Sequence, residues 1–123
     1  MQESTIKTKI VKAMKAAGHY GRRVEDQYSV GFPDLILILA EGPVFFAEVK
    51  VVYNKQFAPS PRQFVELGRL CISECSQPIM IGWKNGLHYI GLPEVQLSTD
   101  RCLKQREEET FPQFLRRWWH GGQ

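Results

Sequence analysis

The sequence has little that would place it in a membrane, in an oxidising compartment or at a zinc centre. No apolar run nears the ~20 residues of a membrane span. Met1 to Lys15 alternates lysines with aliphatics and lacks the unbroken apolar segment of a signal peptide. Cysteine is scarce: Cys71, Cys75 and Cys102 are an odd number without a C-x-x-C pair. That argues against a disulfide framework and a zinc site, and fits free thiols in a reducing cytoplasm. No Ser-His-Asp or Cys-His set is legible, and no Gly-rich phosphate loop, so side-chain nucleophiles and P-loop chemistry have no support. Neither sign of charge dominates, and the net charge of +3 permits nucleic-acid binding without demanding it. Internal repeats and low-complexity stretches are also missing.

What is present suits a single soluble domain, 1–123. The chain has 123 residues, 43% apolar and 24% charged, enough for one core. Its organising stretch runs from Gly31-Phe32-Pro33-Asp34 to Glu48-Val49-Lys50. Between them lie two apolar runs, Leu35 to Leu39 and Val44 to Phe46, separated by Glu41-Gly42-Pro43. This pattern predicts a β-hairpin, and runs without polar alternation predict burial on both faces. A hairpin brings its outer ends together, so Asp34 should approach Glu48 and Lys50. The register decides how. A two-residue turn sends the Asp34 side chain to the face opposite Glu48. An odd loop, a bulge, or Asp34 lying just outside the ladder puts it with Glu48 and Lys50. Two carboxylates and an ammonium inside an apolar sheet cost several kcal/mol per ion unless compensated. A divalent cation would compensate.

Around this hairpin the coarse elements follow. Ile6, Ile10, Ala13, Met14 and Ala17 form one stripe of a helix over 3–17, ended by Gly18. Glu3 lies one turn before Ile6, as an acid favourable to the helix dipole or as a site residue. Lys7, Lys9, Lys12 and Lys15 are either a solvated face or a phosphate contact. A weakly marked strand is expected near 22–28, where Arg22 and Arg23 could reach phosphates. His19 reads as a helix-end or surface group.

Residues 51–60 read as an irregular loop. Ser60-Pro61-Arg62-Gln63 then opens a helix with a capping box, whose core stripe is Phe64, Leu67, Leu70 and Cys71. Pro78 to Trp83 is a strand, Asn85-Gly86 a type I′ turn and Leu87 to Leu92 the return strand. A short helix is expected within 94–110. Phe111 to His120 reads as a second short helix. Its Phe114, Leu115 and Trp118 would pack on the core, or its Arg116 and Arg117 would face nucleic acid.

Pro33-Asp34 followed by Glu48-Val49-Lys50 resembles the signature of PD-(D/E)xK nucleases. With Gly-x-Pro-Asp-Leu, Phe-x-Glu-Val-Lys and Ser-Pro-x-Gln in order, residues 3–83 look most like the VRR-NUC branch. That branch includes stand-alone phage domains and is similar to archaeal Holliday junction resolvases. The resemblance implies an α/β, restriction-endonuclease-like core of about 3–92, a mixed sheet flanked by helices, with a helical tail of about 94–120. It implies a Mg²⁺- or Mn²⁺-dependent endonuclease acting on branched DNA, as a possible homodimer, in the host cytoplasm if phage-encoded. The matching positions are Asp34, Glu48, Lys50 and Gln63 for catalysis. Asp34, Glu48, the Val49 carbonyl and Glu3 would serve the metal. Lys7, Lys12, Arg22, Arg23, Arg116 and Arg117 are the candidate DNA contacts. A catalytically silent nucleic-acid-binding module on the same fold is the alternative.

Overall fold

The computed structural model describes residues 1–24 and 31–122. Helix α1 (Glu3–Ala16) precedes β1 (Tyr20–Arg23), β2 (Leu35–Ile38) and β3 (Val44–Val51). A two-residue strand β4 (Gln56–Phe57) and helix α2 (Pro61–Arg69) lead to β5 (Ser76–Lys84) and β6 (Leu87–Gly91). Strand β7 (Leu97–Ser98), a 3-10 turn (Thr99–Arg101) and β8 (Leu103–Lys104) follow. Helix α3 (Phe111–Arg117) and a terminal π turn (Trp118–Gly122) close the described chain.

Six strands form one sheet in the order β1-β2-β3-β5-β6-β8, and β4 pairs with β7 in a separate ribbon. Every pairing is antiparallel except β3 with β5. A parallel pair needs a crossover, and here it carries β4 and α2.

The apolar runs become strands, but only one face of each is fully buried. Leu35, Leu37, Phe45, Ala47 and Val49 are fully enclosed. They meet Ile6, Ile10, Val11 and Met14 of α1, and Phe114, Leu115 and Trp118 from the C-terminal helical segment. On the alternate side Ile36, Ile38, Val44 and Phe46 stay half-buried, so the expected double burial is not realised. Phe45 also meets Trp119 edge-on at 5.5 Å between ring centroids. The C-terminal aromatics therefore complete the main core, as the packing reading expected.

The opposite sheet face has a smaller core of Val52, Phe57, Leu67, Met80 and Leu97. Several expectations are corrected in the remaining elements. Residues 51–60 are not irregular, because β4 pairs with β7 and inserts Phe57, which packs over Gly82 where a Cβ would lie 2.8 Å from its ring. In α2 only Leu67 of the expected stripe is buried, while Phe64 and Cys71 are exposed and Leu70 is half-buried. The amphipathic pattern is real, but nothing among the described residues covers that side of the helix. The segment 94–110 forms no α-helix, and gives one 3-10 turn between two short strands. The first strand starts at Tyr20, earlier than expected, and its expected part at 25–28 lies outside the described residues. Asn85 and Gly86 have φ of 52° and 84°, the left-handed pair that a type I′ turn requires.

Candidate functional site

The site is built just before β2 begins, where β3 runs on past the last ladder pair. The pairs run from Ile38↔Val44 to Leu35↔Ala47, so paired residue numbers sum to 82 and the loop 39–43 has five residues. An odd loop is one of the three arrangements expected to bring Asp34 to the face of Glu48. Extending the register by one places Asp34 opposite Glu48, just beyond the last ladder pair. Its side chain takes over from the ended ladder: Asp34 Oδ2 accepts a hydrogen bond from the Val49 N–H at 3.0 Å. In an extended strand the N–H and C=O of one residue project to the same side. The Val49 carbonyl therefore faces the same gap.

Glu48 is 1% exposed, the deepest charged side chain among the described residues. Its Oε2 accepts from Gln63 Nε2 at 2.7 Å and lies 3.7 Å from Lys50 Nζ. Its Oε1 is buried without a hydrogen-bond partner among the described residues. Burial drives the Glu48 carboxyl well above the ordinary carboxylate range. The adjacent Asp34 carboxyl adds to this, since it can bond only the protonated form and repels the charged one. Lys50 and Lys7 pull the other way and are outweighed.

Gln63 forms the expected capping box and also reaches the buried Glu48. Its Oε1 accepts from the Ser60 N–H at 2.7 Å, its own N–H donates to Ser60 Oγ at 3.2 Å, and its Nε2 donates to Glu48. The capping box of α2 thereby aims an amide at the buried carboxylate.

Lys7, expected among phosphate contacts, instead reaches inward. Its Nζ stands 3.0 Å from Asp34 Oδ1, with both side chains only 18% exposed. It was missed because it sits at the margin of the apolar stripe, directly after Ile6, where a lysine reads as solvated. Glu3 is half-buried one turn earlier on α1. Among the described residues no three acidic, His or Cys side chains form a metal-sized group, so Glu3 does not join Asp34 and Glu48 in one cluster.

The other basic residues divide. Lys12 and Arg22 are exposed. Arg23 donates to the Ser4 carbonyl at 3.2 Å and to Thr8 Oγ1 at 2.9 Å, which pins β1 to α1. Arg116 grips Glu41 at 2.6 Å, and Arg117 holds Glu109 through two contacts of 2.8 Å. Arg117 also donates to the Lys104 carbonyl at 2.9 Å. Both guanidinium groups thus have intramolecular carboxylates, in keeping with the packing role of this segment. His19 accepts from the Ala40 N–H at 2.9 Å through Nδ1, a surface role as expected.

These features define a class of fold: a mixed α/β domain with a mostly antiparallel six-stranded sheet flanked by helices, of the restriction-endonuclease-like kind. A particular solved structure shares it. The 1.6 Å structure of Archaeoglobus fulgidus Hjc, a Holliday junction resolvase from an archaeal hyperthermophile, is similar with a TM-score of 0.58. The two chains are 12% identical, and the match covers 91% of this chain and 92% of that one. No protein-family model and no curated protein matches the sequence. Among the described residues no helix is long and apolar enough to cross a membrane.

Proposed function

We propose that this protein is a divalent-cation-dependent nuclease that hydrolyses phosphodiester bonds in branched DNA. The observation that carries this reading is the convergence of Asp34 and Glu48 beside the start of β2, with Lys50 at 3.7 Å from the buried carboxylate. An apolar core does not gather two carboxyl groups, one lacking a donor at Oε1, for its own stability.

The donor set fits a hard cation. Mg²⁺ and Mn²⁺ favour oxygen ligands, and Mg²⁺ sites commonly use one or two carboxylates with water and substrate phosphate completing the shell. Asp34 and Glu48 would hold the ion together with the Val49 carbonyl. The Lys7 ammonium against Asp34 marks the place as one where positive charge is favoured. When bound, such an ion supplies Lewis-acid polarisation of the phosphate and acidifies water.

The chain's own groups have distinct tasks. Gln63 fixes the Glu48 carboxylate through Nε2, and the Val49 N–H fixes Asp34. Lys50, beside Glu48 and partly open to solvent, meets the scissile phosphate and offsets the negative charge that grows in the transition state. Its role there is electrostatic.

Branched DNA as substrate is supported by the fold shared with a protein described as a Holliday junction resolvase. Action on two strands of a junction would use two copies of the chain. The test is an assay on linear duplex, flap, splayed-arm and four-way DNA with Mn²⁺. Cleavage of the four-way substrate, lost with chelator and with Asp34→Asn or Glu48→Gln, is expected. Binding to junctions without cleavage in any metal would make the protein a silent binding module instead.

A further inference from the structure

A second basic feature lies on the sheet face that carries the site. A cavity of about 310 Å³ is lined by Lys55, Lys84 and Lys104, with Asn85, Tyr89 and Asp100 among its other walls. Three lysines and a single acidic residue, Asp100, thus share its walls. No ion pair engages any of the three lysines among the described residues. Lys104 stands 5.9 Å over the Tyr89 ring, which orders the ammonium without neutralising it.

The register links this cavity to the carboxylate site. Lys50 pairs with Gly82, Gly82 with Tyr89, and Tyr89 with Lys104, one row across β3, β5, β6 and β8. Three strand spacings of ~4.8 Å put Lys104 about 14 Å from Lys50. Lys84 lies two residues beyond Gly82, hence on the same face. Lys55 enters from above at the tip of the β4–β7 ribbon. It is held at φ 60°, after Asn54 at φ 50°, by a hydrogen bond from the Thr99 N–H to its carbonyl at 2.9 Å. A lysine in the left-handed region is uncommon, where asparagine or glycine sits with less strain. The fold thus holds a cation at a position that turn geometry alone would not give to lysine.

We propose that Lys55, Lys84 and Lys104 form a second phosphate-binding pocket, which grips the nucleic-acid backbone a few nucleotides from the phosphate addressed by Lys50. The proposal rests on the nuclease reading. A 14 Å separation spans at most about four nucleotides at 3.4 Å of axial rise per strand. The pocket would set where a strand lies relative to Lys50, through charge and without reading bases.

The experiment compares the full chain with the variant Lys55→Gln/Lys84→Gln/Lys104→Gln in chelator, so that no strand is cut. Binding to four-way DNA is measured against salt, using oligonucleotides with single neutral methylphosphonates along the strand. Expected is a log–log salt slope shallower by about 1 in the variant, with an unchanged melting temperature. One methylphosphonate position a few nucleotides from the cut should weaken the unaltered protein severalfold and leave the variant unaffected. If the unaltered protein binds DNA but the variant keeps both its slope and its interference pattern, this pocket is refuted while the nuclease reading stands. If the unaltered protein does not bind DNA at all, both fall together.

Discussion

The Lys7 ammonium lies 3.0 Å from Asp34 Oδ1, so a residue of the first helix holds the carboxylate that leads into the second strand. A divalent cation at Asp34 would have to compete with that ammonium. Ion pairs with appreciable solvent access contribute no more than about 1 kcal/mol. Lys7→Met should therefore tighten Mn²⁺ binding by up to about fivefold, measured by calorimetry. Weaker binding in Lys7→Met would show instead that the lysine orients Asp34.

Lys50 should act on the transition state more than on the ion. Lys50→Ala is expected to slow cleavage by roughly 10²-fold or more, the scale on which a charge-stabilising donor is lost. Its Mn²⁺ affinity should stay within about twofold of the parent. Cleavage at the parental rate would make the lysine a structural partner of Glu48 only.

Gln63 joins two tasks that substitution can separate. Gln63→Ala removes the cap contact and the donor to Glu48, and should cost about 1–3 kcal/mol in denaturant unfolding. Gln63→Glu keeps an acceptor for the Ser60 N–H but sets a third carboxylate against Glu48 Oε2. It should preserve the helix start by amide exchange while cleavage falls. If both variants cleave normally, the amide has no part in the site.

Glu48 predicts an unusual pH profile. Its folded pKa lies above the ordinary value of 4.5, so the folded chain holds a proton that the unfolded chain releases. That contribution is fully present below 4.5 and is lost as pH rises through the elevated folded value. In chelator, the melting temperature should drop as pH rises from mildly acidic to alkaline. Glu48→Gln should flatten the profile, and Mn²⁺ should restore stability at the alkaline end. A parental profile that rises toward alkaline pH would contradict the buried, crowded carboxylate.

Arg116 and Arg117 are expected to matter for folding. With Glu41 and Glu109 as partners, their joint replacement by Ala should lower the melting temperature and leave the salt slope of DNA binding unchanged. A shallower slope at a constant melting temperature would reinstate them as phosphate contacts.

Much of this site was legible in the sequence because its logic is periodic. Two apolar runs with a breaker-rich centre force a hairpin, and the hairpin forces its ends together. The Ser60-Pro61-Gln63 pattern likewise gave the helix start that the structure shows. What stayed hidden has physical reasons. Loop length could not be told from Glu41-Gly42-Pro43, since two-residue and five-residue turns use the same residue types. Lys7 gave no sign of its reach, because a lysine stem can run along apolar surface before its charge finds a partner. The β4–β7 ribbon escaped because strands of two residues have no period to read. The α2 stripe misled because amphipathicity reports a preference for burial, whereas Phe64 and Cys71 remain exposed.

The loop at 39–43 acts as a counter. It lies at the far end of the hairpin from the carboxylates, and it contributes no chemistry. Yet its length, taken as odd or even, decides which side of the sheet Asp34 joins. Lengthening it by two residues leaves the carboxylates together. Lengthening it by one turns Asp34 away from Glu48 or demands a bulge in β2 or β3 to restore the parity. A search for active relatives of this chain should therefore tolerate variation in that turn in steps of two, and treat a single inserted or deleted residue there as a change to the site itself.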